Sequence, residues 1–174
     1  TLRNKFDVKV CVTAQHRKLM DQALDIFEIT PDFDLDIMKP EQDLFDVTSN
    51  VLFGMRKIFS QEHPDIVLVH GDTTTSMATS MAAFYLQIPV GHVEAGLRTY
   101  NINSPFPEEF NRQLTARIAQ FHFAPTEVAR QNLLNEKIPD NRIYVTGNTI
   151  IDALYSIINK ARAVDFLEDS IDAM

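Results

Sequence analysis

The sequence contains a single cysteine, Cys11, and only five glycines in 174 residues. One cysteine excludes an internal disulfide framework, and we expect a reducing, cytoplasmic setting. None of the glycines forms a GxGxxG or Walker A pattern, so the sequence contains no signal for a dinucleotide or P-loop phosphate site. No apolar run approaches the ~20 residues that span a bilayer, and no signal-peptide core follows Thr1, so we expect a soluble protein with no membrane partner.

Positive charge is also scarce, because 16 lysines and arginines stand against 24 aspartates and glutamates, for a net charge of −8. This balance argues against a nucleic-acid partner held on a broad basic face. A phosphate-bearing ligand must therefore meet a local positive site. The hydrophobic share of 45% is sufficient for a sizeable core in one globular unit.

Short apolar runs alternate with helix-like segments along the chain, which is typical of parallel βαβ units. The predicted strands are 8–13, 33–37, 65–69, 88–93, 121–124 and 143–145, and the predicted helices are 17–27, 43–60, 73–85, 107–120, 126–136 and 149–162. The pattern predicts an α/β fold, a Rossmann-like parallel sheet with helices on both faces over residues 1–164. Residues 165–174 are predicted to form a terminal helix or a crossing arm.

Two similar triplets close neighbouring predicted strands: His70-Gly-Asp72 and His92-Val-Glu94. Ligands of open α/β sheets bind outside the carboxyl ends of the strands, so these side chains are candidates for a site. Imidazole and carboxylate are normal zinc ligands, and a metal-dependent hydrolase that uses all four residues is one hypothesis. The structural alternative is that each histidine bonds a backbone carbonyl or a neighbouring carboxylate.

Three carboxylates are candidates for acid/base chemistry. Asp72 either serves the chemistry or caps the helix that follows. Glu94 comes directly after a buried strand, where a charge needs a partner, and Arg98 is predicted to be that partner. Glu108 lies in the first turn of a helix, four residues before Arg112, a spacing that predicts a surface ion pair. Asn148, after the last strand, either approaches a ligand or caps a helix.

Three stretches, 70–99, 104–115 and 146–154, together with 13–22 and 32–38, closely resemble the non-hydrolysing UDP-N-acetylglucosamine 2-epimerases. The resemblance implies interconversion of UDP-N-acetylglucosamine and UDP-N-acetylmannosamine, by elimination of UDP and its re-addition through a 2-acetamidoglucal, with no redox cofactor. It also implies the first of two Rossmann-like domains that close on a UDP-sugar in the manner of a glycosyltransferase-B fold.

The resemblance assigns roles to individual residues. By motif, Asp72, Glu94 and Glu108 match the family's acid/base carboxylates, and Arg112 matches a substrate-binding arginine. His92, Arg98 and Asn148 are further candidate substrate contacts. Gln15 matches a glutamine of an effector site, whereas Lys18 and Glu41 stand where regulated members carry Gln and Arg.

The resemblance also predicts a bacterial, homodimeric enzyme that supplies precursors of cell-surface polysaccharide. The family's opening strand and loop precede Thr1, and its nucleotide-binding second domain follows Met174. We therefore expect a partial first domain without activity of its own, and the remaining alternative is a non-catalytic truncated domain.

Overall fold

The computed structural model describes residues 2–13, 17–37 and 41–163. Its strands are β1 (Cys11–Val12), β2 (Phe33–Asp34), β3 (Val67–His70), β4 (Val90–Val93), β5 (Phe121–Ala124) and β6 (Ile143–Val145). Its helices are α1 (Arg17–Ile26), α2 (Leu44–Glu62), α3 (Thr74–Tyr85), α4 (Glu108–Ile118), α5 (Glu127–Asn135) and α6 (Thr149–Ala163). Gln15 and the predicted terminal segment 165–174 lie outside the described residues.

The strands form a parallel sheet in the order β3-β4-β5-β6 and a separate parallel pair, β1 with β2. Helices connect and flank these strands, so the predicted α/β class is confirmed. The first two strands are two residues long, shorter than predicted. Just before β1 begins, the backbone N–H of Val10 donates to the Asp32 carboxylate at 2.7 Å and so makes no bond to a neighbouring strand.

One face of the four-stranded sheet is covered by α2, α3, α4 and α5. The register places Val69, His92, His122 and Ile143 in one row across the strands, and all four are buried. Helices α2 and α3 pack over the β3 end of this row, and α4 and α5 pack over the β6 end. Leu68, on the opposite face, is 50% exposed.

Side chains at the helix starts explain where several helices begin. Asp43 and Asp46 form a capping box at α2, and Thr73 and Thr126 cap α3 and α5 by accepting a backbone N–H.

The helices of the described ranges include none that is long and apolar enough to cross a membrane.

The turn after β4 depends on Gly96. Its φ is +89°, and a Cβ at this position would lie 2.3 Å from the carbonyl oxygen of Ala129 in α5. A glycine is therefore required here both for the backbone conformation and for the close approach of α5.

We expect Gly96→Ala to lower the free energy of unfolding by about 3 kcal/mol or more, because the methyl group meets a backbone atom that cannot move aside. Gly147→Ala is the matched control, since its φ is +81° but no heavy atom lies within 4 Å of the added Cβ. The control isolates the cost of the left-handed conformation, about 1–2 kcal/mol. Urea denaturation of both variants measures the difference, and equal losses would contradict the packing argument.

Candidate functional site

The carboxyl ends of β3 and β4 lie side by side. His70 is paired with Val93 in the parallel register, so Asp72 and Glu94 leave the sheet at the same edge. The N–H of Gly71 donates to the carbonyl of Val93 at 2.9 Å and fastens the two strand ends together. The two predicted carboxylates are thereby brought to one edge of the domain.

The Asp72 side chain faces helix α4. Its Oδ2 accepts a hydrogen bond from Nη2 of Arg112 at 2.5 Å, and its backbone carbonyl accepts from Nδ2 of Asn111 at 2.9 Å. Both Asp72 and Arg112 remain partly exposed. The alternative role of Asp72 as a helix cap is wrong, because Thr73 caps α3 by accepting from the N–H of Ser76.

Glu94 occupies a strained position directly after β4, with a φ of +65°. Its Oε2 lies 3.9 Å from Nε2 of His70, and the same ring nitrogen is 3.4 Å from Oγ1 of Thr149 at the start of α6. Glu94, His70 and Thr149 therefore form a second polar group at this edge. Since the Glu94 side chain is 30% exposed, its carboxylate is open to a ligand.

The predicted ion pair between Glu94 and Arg98 is wrong. The Arg98 side chain is fully buried, donates to both oxygens of Glu136 at 2.6 and 3.0 Å, and also donates to the carbonyl of Leu97. The turn at Gly96 directs Arg98 toward the end of α5, because the chain between Glu94 and Arg98 is not helical. These contacts use three of the five N–H donors of the guanidinium, and the fully buried side chain is not open to a substrate, so Arg98 is not part of the proposed site.

Helix α4 places its two consecutive glutamates in different surroundings. Glu108 is half-buried, whereas Glu109 is completely buried. The predicted pair between Glu108 and Arg112 is wrong, because Arg112 pairs instead with Glu109 at 3.3 Å and with Asp72. Glu109 is the residue that sequence reasoning missed, and its only signal was a second acid in the first turn of the helix.

Glu109 is ionised inside the protein. Burial by itself raises the pKa of its carboxyl, but hydrogen bonds from Gln113, from the N–H groups of Thr99 and Tyr100, and from Arg112 outweigh burial and lower the pKa below its ordinary value. The four donors account for both oxygens of the carboxylate.

The histidine of the second triplet lies behind the site. His92 is fully buried, and its Nε2 donates to the carbonyl of Gly71 at 2.8 Å, which fixes the neutral tautomer. Its Nδ1 has no hydrogen-bond partner among the described residues. Burial lowers the pKa of His92 to about 4, and burial likewise lowers the pKa of its neighbour His122 to about 4. The ring of His92 therefore supports the turn that carries Asp72.

Asn148 caps the last helix. Its Oδ1 accepts from the N–H of Ile150 at 3.1 Å, and its carbonyl accepts from the N–H of Ile151 at the same distance. The residue is exposed at the start of α6. The capping role that sequence analysis left open is present, and a ligand contact remains a prediction.

The metal-site hypothesis requires His70, Asp72, His92 and Glu94 to converge. Within the ranges that the structure describes, no three histidine, cysteine, aspartate or glutamate side chains are placed to hold a metal ion. The donor nitrogen of His92 is bonded to a carbonyl, and the Asp72 carboxylate is bonded to Arg112. The arrangement does not support the hydrolase alternative.

These observations define a class of protein: a parallel α/β domain with two carboxylates, Asp72 and Glu94, and the guanidinium of Arg112 at the carboxyl edge of its sheet. The sequence profile of the UDP-N-acetylglucosamine 2-epimerase family matches residues 1–172. The chain belongs to this family.

Relatives agree with this assignment. A UDP-N-acetylglucosamine 2-epimerase of Salmonella typhimurium is 59% identical over 163 residues, which are 94% of this chain and 43% of that protein. The crystal structure of the Neisseria meningitidis UDP-GlcNAc 2-epimerase bound to UDP-GlcNAc is 55% identical with a TM-score of 0.88, over 91% of this chain and 43% of that one. The Methanocaldococcus jannaschii enzyme in complex with UDP-GlcNAc and UDP is 37% identical with a TM-score of 0.87, over 94% of this chain and 45% of that one. The chain thus spans less than half the length of these relatives.

The two buried neutral histidines make stability depend on pH. An unfolded histidine binds a proton near pH 6.5, whereas His92 and His122 in the folded chain do so only near pH 4. Between these values the unfolded state binds more protons, so stability falls as the pH falls. We expect a loss of about 2 kcal/mol per histidine between pH 7 and pH 5.

Urea denaturation at several pH values measures this loss. A His122→Asn variant should lose about half of the slope between pH 7 and pH 5, because one of the two groups no longer titrates. Unchanged stability of the parent chain over this range would show that the rings are not held neutral.

Proposed function

We propose that this chain forms the acid/base wall of an enzyme that interconverts UDP-N-acetylglucosamine and UDP-N-acetylmannosamine. Residues 1–164 are the first domain of that enzyme, and the nucleotide sugar lies across the carboxyl edge of β3 and β4. The observation that carries the proposal is the convergence of Asp72, Arg112 and Glu94 at this edge, from the ends of two strands and from α4.

The chemistry requires this kind of arrangement. The C2 proton of the sugar is not next to a carbonyl, so direct removal by a carboxylate is too slow. Elimination avoids the difficulty: a carboxylate takes the C2 proton, the C–H electron pair forms the C1–C2 double bond, and UDP leaves C1 with the pair of the broken C–O bond. UDP then adds back to C1 while a second group delivers a proton to the opposite face of C2. At least two acid/base groups on different sides of the ring are needed.

Three carboxylates from three different segments can meet that need. Asp72 follows β3, Glu94 follows β4, and Glu108 lies in the first turn of α4. Arg112 lies beside Asp72 and is the positive group that faces the diphosphate as negative charge develops on it. A chain with a net charge of −8 needs such a local cation to receive a nucleotide diphosphate.

The enzyme is further proposed to be a cytoplasmic homodimer that supplies precursors of bacterial cell-surface polysaccharide. Support for a dimer comes from exposed aromatic side chains of α2 and α3, namely Phe53, Phe84 and Tyr85, beside a groove of about 270 Å³. Bacterial relatives such as those of Salmonella and Neisseria support the setting.

The proposed epimerase activity is tested in a fusion protein that has the full length of the relatives. Residues 1–163 replace the matched region of the Salmonella typhimurium relative, so that every segment of the relative on either side of that region is kept, and this fusion is called the completed chain. We expect Asp72→Asn, Glu94→Gln and Glu108→Gln each to lower its turnover by about 10²–10⁴-fold, because each amide keeps the volume and removes the proton-transfer group. Coupled release of UDP or NMR of the sugar measures turnover.

The matched control is Glu127→Gln, a glutamate at the start of α5 that is 75% exposed. It should keep normal turnover. A folded Glu94→Gln variant with normal turnover would remove Glu94 from the catalytic set, and a folded completed chain without any epimerisation would contradict the proposed function.

Elimination and re-addition of UDP exchange the hydrogen atom at C2 of the sugar. In deuterium oxide the completed chain should place solvent deuterium at C2 of its product, because the returning proton comes from a group that exchanges with solvent. Mass spectrometry or proton NMR of the re-isolated nucleotide sugar measures the incorporation, and the unmodified Salmonella relative is the parallel control. Product that keeps its C2 protium would exclude this mechanism in favour of a direct hydride transfer.

A further inference from the structure

Glu109 is the most heavily engaged side chain near the site. Its Oε1 accepts from the N–H of Tyr100 at 3.1 Å and from Nε2 of Gln113 at 2.9 Å. Its Oε2 accepts from the N–H of Thr99 at 3.1 Å and from Nη1 of Arg112 at 3.3 Å. A completely buried carboxylate is retained in a fold only with donors of this kind around it.

The four donors come from two different parts of the chain. Thr99 and Tyr100 belong to the segment that leaves β4 through Glu94, whereas Arg112 and Gln113 lie one turn further along α4. Glu109 therefore ties the segment that carries one candidate carboxylate to the helix that carries Glu108 and Arg112.

Arg112 lies between two carboxylates. Nη1 faces Glu109, Nη2 faces Asp72 at 2.5 Å, and Nε has no partner within the described residues. The contact with Glu109 fixes which nitrogen is directed toward Asp72. Without a negative charge at Glu109, the guanidinium is free to turn toward Asp72 and to engage it with two nitrogens.

We propose that Glu109 is a positioning residue of the epimerase reaction, which acts through Arg112 to hold the guanidinium at one fixed orientation beside Asp72. This rests on the proposed function, because Asp72 and Arg112 are the groups that touch the substrate. Glu109 itself is completely buried, so its carboxylate is not open to a substrate.

A double-mutant cycle in the completed chain tests the proposal. Glu109→Gln keeps the size of the side chain and removes its charge. We expect it to lower kcat per folded molecule by about 10–100-fold while KM for UDP-N-acetylglucosamine changes by less than about threefold, since misorientation costs more in the transition state than in substrate binding. In an Arg112→Met background the same change should lower kcat by less than about threefold, because the residue through which Glu109 acts is gone.

Glu127→Gln is again the matched control, since Glu127 pairs with Arg130 at the same i, i+3 spacing, at 3.6 Å but on the surface. It should change neither kcat nor KM. Gln113→Met provides a milder variant if Glu109→Gln does not fold: it removes one donor to Glu109, and we expect kcat to fall by about 3–10-fold.

The outcomes separate the two levels of the proposal. A parent completed chain without epimerase activity contradicts the proposed function itself. An active parent in which Glu109→Gln has the same effect with and without Arg112 overturns the positioning role. If Glu109→Gln lowers only the amount of folded protein, and kcat and KM of the folded enzyme stay unchanged, the positioning role is also overturned. Glu109 is then only a structural residue of the core.

Discussion

The parallel pairing of β3 with β4 is the constraint on which the site depends. It places His70 opposite Val93, so the residues that follow, Asp72 and Glu94, emerge at the same edge. The link from Gly71 to the Val93 carbonyl and the bond from His92 to the Gly71 carbonyl hold this edge from two sides. A shift of register by one residue would turn one of the two strands over and separate the carboxylates.

The domain buries titratable groups in two physically different ways. Glu109 and Arg98 are surrounded by hydrogen-bond partners that replace the water each loses on burial, and for Glu109 these partners keep the pKa below its ordinary value. His92 and His122 remain neutral, because burial makes the protonated ring too costly. The charged groups connect loops to helices near the edge of the sheet, whereas the neutral rings support the strands beneath it.

Membership of the epimerase family relates the charged groups at the edge of the sheet to one proposed reaction. The chain covers 43% of the Salmonella relative and 43% of the Neisseria structure, so more than half of the length of each lies outside the matched region. In the proposed enzyme, that remaining length supplies the other side of the nucleotide-sugar site. Within the proposed enzyme, this domain contributes the acid/base groups and one cation. In the same proposal, the hydrogen bonds of Glu109 hold Arg112 beside Asp72, and fixed groups of this kind are needed where a proton is removed from one face of the sugar and returned to the other.

The sequence by itself determined the α/β class, the order of the elements and the positions of the candidate carboxylates, because hydrophobic period and turn residues are local signals. The strands 121–124 and 143–145 were predicted to the residue. The ion-pair partners of the arginines differed from those predicted. Arg98 pairs with Glu136, 38 residues away, and Arg112 pairs with Asp72, 40 residues away. The i, i+4 spacing identified neither pair, because the packed fold brings these partners together from distant parts of the chain and no local pattern points to them. Only the tertiary structure decided that Glu109 lies inside and Glu108 does not, since adjacent helical residues point about 100° apart and the sequence does not show which direction faces the core.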